Sequence, residues 1–186
     1  MFIKYDGTGN SCSIFHSHWM GCKSKHAVAY CIVINVLDMG GVPRSLPTPI
    51  HLLKSLTLYN IGLYGSDQIS CTLCLIRSYP NWTTLQITLS SKACTAKSIF
   101  EELVPNHLEA PDCINQMLDI LRSVKISQIK GWKLELLFIK LLLAHSTMLE
   151  TMFVEHCVTV DVQEGFEISK ELARFPQGSP KAAIMY

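Results

Sequence analysis

What this chain has least of is charge. Asp, Glu, Lys and Arg make up 17% of its 186 residues and nearly cancel, leaving a formal net charge of +1. No Lys/Arg cluster concentrates what is there, so nothing electrostatic recommends nucleic acid or an anionic membrane surface as a partner. Long hydrophobic runs are also missing. The longest, Leu134 to Ala144, is about half of what spans a bilayer and carries Glu135 and Lys140, so it reads as a buried helix. The first fifteen residues hold Lys4, Asp6 and Asn10 in place of an apolar run, and no signal peptide is expected. A reducing intracellular setting, cytoplasm or nucleus, follows for the eight cysteines. Four of them, Cys71, Cys74, Cys113 and Cys157, fall where a repeated core takes a small apolar residue. In that setting the glycosylation acceptor pattern Asn81-Trp82-Thr83 is accidental.

The usual marks of catalysis are absent too. Gly40-Gly41 runs into Val-Pro instead of opening a helix, so it is no phosphate loop. There is no nucleophile-elbow sequence. His107, His145 and His156 have Ser, Asp or Cys nearby, but nothing in their spacing fixes a nucleophile–base pair. Cys71-Thr72-Leu73-Cys74 is formally Cys-x-x-Cys, yet it lies inside a helical pattern between apolar residues, which favours core packing over redox chemistry. Neither an enzyme nor a cofactor is expected.

What is present is a near-repeat. Leu53-x-x-Leu56-x-Leu58 returns as Trp82-x-x-Leu85-x-Ile87, as Leu121-x-x-Val124-x-Ile126 and as Leu149-x-x-Met152-x-Val154-x-x-Cys157. The central positions step by 29 residues, then 39, then 28. This is the leucine-rich-repeat pattern, one strand and a helical return per unit. Such units bury their apolar faces only by stacking, and the stack offers an extended surface to partners. With 48% hydrophobic residues, burial is expected and disorder is not.

Three segments follow. Residues 1–39 form a poorly defined leader with one possible strand over 28–36, where Val28, Tyr30, Ile32, Ile34 and Val36 share a face. Pairing of that strand with the first repeat would cover an otherwise open edge near residue 54. Residues 40–117 hold the repeats. After the first strand, Ser66 caps a helix whose stripe is Ile69, Leu73 and Ile76, ended by Pro80. A second strand spans Trp82 to Leu89, and an irregular excursion over 90–117 includes a short helix at 97–104. Residues 118–186 hold the last repeats and a closing unit. Strands are expected at 118–126, 151–154 and 158–162, a largely apolar helix at 133–146 covered on two sides, and a helix at 167–175 with stripe Ile168, Leu172 and Phe175. A final strand is expected at 182–186.

Several runs resemble the plant F-box/FBD/LRR-repeat proteins. Leu46 to Pro49, His51 to Leu58 and Cys74 to Asn81 are similar to their repeat region. Gly131 with Glu135 to Ser146, then Glu171 to Pro176 and Ser179 to Ala182, resemble the FBD domain that ends those chains. The resemblance covers about residues 40–186 and implies an α/β fold, a short open leucine-rich-repeat solenoid with a C-terminal α/β FBD cap. It also implies non-catalytic substrate recognition for SCF-type E3 ubiquitin ligases, in which an F-box docks on the Skp-family linker and the repeats choose the target. Residues 1–39 show no F-box, and Leu46-Pro47 sits in a loop before a repeat strand, so docking to the ligase core is not expected. Gln177-Gly178 stands where the family tends to carry a basic residue and Ala.

If Leu56, Leu58 and their equivalents point inward, the outward rows are Ser55, Thr57, Tyr59; Thr84, Gln86, Thr88; Ser123, Lys125, Ser127; and Thr151, Phe153, Glu155. Tyr59, Gln86, Lys125 and Phe153 are the candidate protein-binding residues, because aromatic and long polar groups anchor interfaces better than small hydroxyls do. The rival is zinc. Cys12, His16, His18 and Cys22, with His26 and Cys31 beyond, are dense in ligands but match no regular finger spacing.

Overall fold

In a computed structural model, the described residues are 26–30, 54–63, 72–73, 76, 81–90 and 118–186. They form an α/β arrangement whose sheet orders its six strands as they occur in the chain, every neighbouring pair parallel. The strands are β1 (His26–Tyr30), β2 (Ser55–Ile61), β3 (Thr84–Leu89), β4 (Ser123–Ile129), β5 (Thr151–His156) and β6 (Ala183–Met185). Helix α1 (Lys133–His145) returns the chain from β4 to β5, and α2 (Val162–Leu172) from β5 to β6.

The near-repeat dictates the register. Leu56 lies opposite Leu85, Leu85 opposite Val124, and Val124 opposite Met152. Leu58, Ile87, Ile126 and Val154 form a second such row. All eight side chains are buried in one core, which also takes in Leu73, Ile76, Trp82, Leu118 and Leu121. At the strand entries a backbone ladder repeats the same step. Thr83 donates to the Lys54 carbonyl, Arg122 to that of Thr83, Glu150 to that of Arg122, and Ala183 to that of Glu150, each at 2.8–2.9 Å. The first unit is not left open: β1 pairs with β2, Ala27 opposite Leu56 and Ala29 opposite Leu58.

Two strands carry an extra residue. Asn60 in β2 (φ 57°) and Gln128 in β4 (φ 68°) are left-handed, and the register shifts at both places. β3 and β5 have no such shift, so bulged and unbulged strands alternate.

Helix α1 lies where the apolar run predicts, with Phe138, Ile139, Leu142 and Leu143 almost fully buried and only Lys133 and Lys140 exposed. Covering on most of its circumference matches the expectation. Several element bounds are corrected. The third repeat strand begins at Ser123, not at 118: Leu118 and Leu121 are buried in a turn closed by the Leu121 N–H on the Leu118 carbonyl (3.1 Å). The second begins at Thr84, because Trp82 turns inward to donate from Nε1 to the Ile76 carbonyl (3.2 Å). No strand forms over 158–162. The chain turns there and α2 starts at Val162, five residues before the predicted helix start. The reason is a cap: the Asp161 carboxylate accepts from the Glu164 N–H at 2.8 Å and holds the helix start. Phe175 lies past the helix end but still packs on the core, as do Ile168 and Leu172 within it. The closing strand is shorter than expected, Ala183–Met185. Thr72, Leu73 and Ile76 are helical and buried, but Ser66, Ile69, Cys71, Cys74, the 97–104 helix and Cys113 lie outside the described residues, as do Ile32, Ile34 and Val36 of the predicted leader strand.

Two details hold the entry of α1. Gly131 is left-handed (φ 78°), and a Cβ there would lie 2.5 Å from Ile168 Cδ1. Replacing Gly131 by Ala combines left-handed strain with that contact; a loss of about 1–2 kcal/mol is expected, a fall in Tm of roughly 2–8 °C by thermal melting. Glu135, buried, reaches back so that Oε2 accepts from the Lys130 N–H (2.9 Å) and the Trp132 N–H (3.2 Å). Burial pushes its carboxyl above the ordinary range, against the pull of those N–H groups and of the Lys130 charge. The folded state thus holds this proton more tightly than the unfolded chain. The contribution of Glu135 is complete below the unfolded carboxyl value and is lost as pH rises through the folded one. In Glu135→Gln this step disappears, so the Tm of the variant should gain on that of the natural chain as pH rises through the window. A constant difference in melts across pH would show that folding leaves the proton affinity of Glu135 unchanged.

Candidate functional site

The outward side of the sheet is where the predicted site residues meet. Period-two alternation puts Leu56 and Leu58 inside and Thr57 and Tyr59 outside, and parallel pairing repeats that choice in every strand. Thr57, Gln86, Lys125 and Phe153 lie in one register row. Tyr59 heads the next row, with Thr88, Ser127 and Glu155. Three of the four predicted residues, Gln86, Lys125 and Phe153, are therefore direct neighbours, and Tyr59 stands one row away. At about 4.8 Å per strand, the row from Thr57 to Phe153 spans roughly 14 Å.

Phe153 is 47% exposed and Tyr59 37%, beside exposed Gln86 and Lys125. The ammonium of Lys125 pairs with Glu155 at 3.5 Å, both side chains about half exposed, which fixes their positions more than it stabilises the fold. The Thr151 hydroxyl donates to Ser123 Oγ (3.1 Å) between the same two strands. At the strand entries Arg122 and Glu150 form a closer pair at 2.6 Å, and the Thr147 hydroxyl donates to Asp119 at 3.0 Å. Charges on this side are paired locally, leaving Phe153 as its main apolar feature.

The row continues beyond the predicted positions. Met185 of β6 lies opposite Phe153, so two large apolar residues adjoin at that end. Sequence reasoning missed Met185 because the closing strand breaks the repeat spacing; its alternation with Ala183 was the available signal. At the other end Val28 lies opposite Thr57.

Cys12, His16, His18 and Cys22 lie outside the described residues. Among the described residues no three His, Cys, Asp or Glu side chains are grouped to hold a metal ion. Cys157 is a free, buried thiol; the Thr159 hydroxyl donates to its Sγ (3.2 Å) and holds it below its ordinary value. No helix among the described residues is long and apolar enough to cross a membrane.

Since Tyr59 and Phe153 point away from the core, Tyr59→Ala and Phe153→Ala should each change stability by no more than about 0.5 kcal/mol, as read by denaturant unfolding. By contrast, Leu85→Ala in the adjoining inward row should cost about 2–5 kcal/mol.

No protein-family model and no solved structure matches the chain. An F-box/FBD/LRR-repeat protein of Arabidopsis thaliana is 30% identical to it over 159 residues. That stretch is 86% of this chain and 37% of the relative, so the chain spans little more than a third of that protein's length. Over most of its own length, then, this chain is similar to a member of the plant F-box/FBD/LRR-repeat family.

Proposed function

We propose that this chain is a non-catalytic protein-recognition module, equivalent to the substrate-binding part of an SCF-type E3 ubiquitin ligase F-box subunit. On this reading the strands up to β5 are the units of a short open leucine-rich-repeat solenoid. Residues 40–117 carry its first part, and 118–186 hold its last units and an FBD cap. The target binds the outward side of the sheet, with Phe153 and Tyr59 as aromatic anchors and Gln86 and Lys125 as polar contacts.

The observation that carries this is the shared row: Gln86, Lys125 and Phe153, chosen from different units, are aligned and exposed on one face. The relative's family name supports it. In such a ligase, recognition works by proximity, raising the effective concentration of a bound target beside subunits that carry the chemistry.

The experiment is capture from plant extract by the tagged chain, compared with the double variant Tyr59→Ala/Phe153→Ala. Proteins held by the natural chain should be lost from the variant and retained by Val158→Ala, a change at an exposed residue away from the row. Equal capture by all three would reject the proposed face.

A further inference from the structure

Two backbone outliers border the outward side of the sheet, and both carry an amide. Among the described residues other than glycine, only Asn60 and Gln128 have left-handed backbones (φ 57° and 68°). Each is the extra residue of a bulge, set directly after an outward residue, Tyr59 or Ser127, and directly before a buried one, Ile61 or Ile129. Neither joins the core: Asn60 is exposed and Gln128 half-buried. Left-handed backbone is unfavourable for a residue with a Cβ, more so for Gln than for Asn, and such outliers gather where ligands are held. Bulges gather there too, because they re-aim side chains.

These two amides face a third across a narrow strip. Gln86 lies on the strand between theirs, two to three residues nearer the strand entry. At about 3.3 Å per residue it stands roughly 7–10 Å from the level of Asn60 and Gln128, which are about 10 Å apart across two strand spacings. The floor of the strip is Tyr59, Thr88 and Ser127. Its width is that of one extended chain, since hydrogen-bonded strands lie about 4.8 Å from each neighbour.

None of the three amides is hydrogen-bonded to a described residue. An amide side chain offers donors and an acceptor together, the same complement as a peptide group. An extended main chain directs its N–H and C=O groups to both of its sides, so amides on both flanks suit it. Charge is already balanced. Lys125 and Glu155, the charged residues of the two outward rows beside the strip, are paired with each other at 3.5 Å. A charged side chain of a partner would find no free counter-charge there.

We propose that this face takes an extended, uncharged segment of a protein partner, its main chain pairing with Gln86 on one flank and with Asn60 and Gln128 on the other. An aromatic or aliphatic side chain near each end of the segment packs on Tyr59 or on Phe153. Those two anchors are three strands and one row apart, about 14–16 Å, which is four or five residues of extended chain. Such a partner presupposes the recognition reading above, in which this face binds a target.

The test is selection of a displayed library of random nine-residue peptides on the full chain, with recovered peptides synthesised and titrated by fluorescence anisotropy. Peptides with two apolar residues four or five apart and no charge between them are expected. Their affinity should fall at least about tenfold when the intervening main chain is N-methylated, and about three- to tenfold in each of Gln86→Leu and Gln128→Gly. Glycine is at ease in the left-handed region, so Gln128→Gly should melt no lower than the natural chain while binding less, a combination that damage to the fold would not produce. Selection of charged peptides, or affinity unchanged by N-methylation or by both variants, would overturn the proposal. So would equal peptide binding by Tyr59→Ala/Phe153→Ala. If no peptide is recovered while the natural chain captures proteins that this double variant loses, a folded surface docks there instead: the extended segment is rejected and the recognition face stands. No peptide recovered, with equal protein capture by the two chains, would reject both.

Discussion

Stacking of equivalent residues in register is the constraint on which the rest of this structure depends. Leu56, Leu85, Val124 and Met152 are fully buried, and each lies opposite the next. Burying such side chains contributes roughly 1.5–3 kcal/mol apiece, against about 0–1 kcal/mol for an exposed ion pair such as Arg122–Glu150. Burial therefore sets the register, and the ion pairs follow it. Because side chains alternate with a period of two, a slip of one residue would turn every buried member of a strand toward water. The same rule carries the outward residues into rows, so the proposed recognition face is a by-product of how the core is aligned.

The strands are not identical copies. Asn60 and Gln128 place one left-handed residue near the ends of β2 and β4, and the backbone regains register at Ile61 and Ile129. Both of those residues are buried, and their carbonyls accept from Ser90 and Cys157, each at 2.8 Å. The bulge thus lets a longer strand end in phase with a shorter neighbour. At the exit of β4 the chain turns through Gly131 into α1, and the buried Glu135 carboxylate collects the N–H groups of that turn. A carboxylate at this position both satisfies donors at the helix start and complements its dipole, which offsets part of the cost of burying it.

Much of the sheet was legible. The Leu-x-x-Leu-x-Leu spacing places the strands, their inward residues and the four outward rows, and α1 follows from its apolar run. The strand entries were harder, since Trp82, Leu118 and Leu121 are apolar and fit the pattern while lying in turns. Burial in a core does not require a strand, so the pattern overruns its true start. The region after β5 was misjudged for a different reason. Val158-Thr159-Val160-Asp161-Val162 alternates like a strand, and Asp161 with Glu164 forms a capping box that outweighs the alternation.

By itself, the sequence determined the period, the inward and outward sets, the α/β class and the resemblance to a plant family, all of which depend on local spacing and residue type. Tertiary structure decided what spacing cannot. It set which outward residues stand side by side and that β1 and β6 extend the sheet at its two ends. The physical reason is that periodicity fixes the direction of a side chain relative to its own strand or helix. Its neighbours are fixed only by long-range pairing and packing.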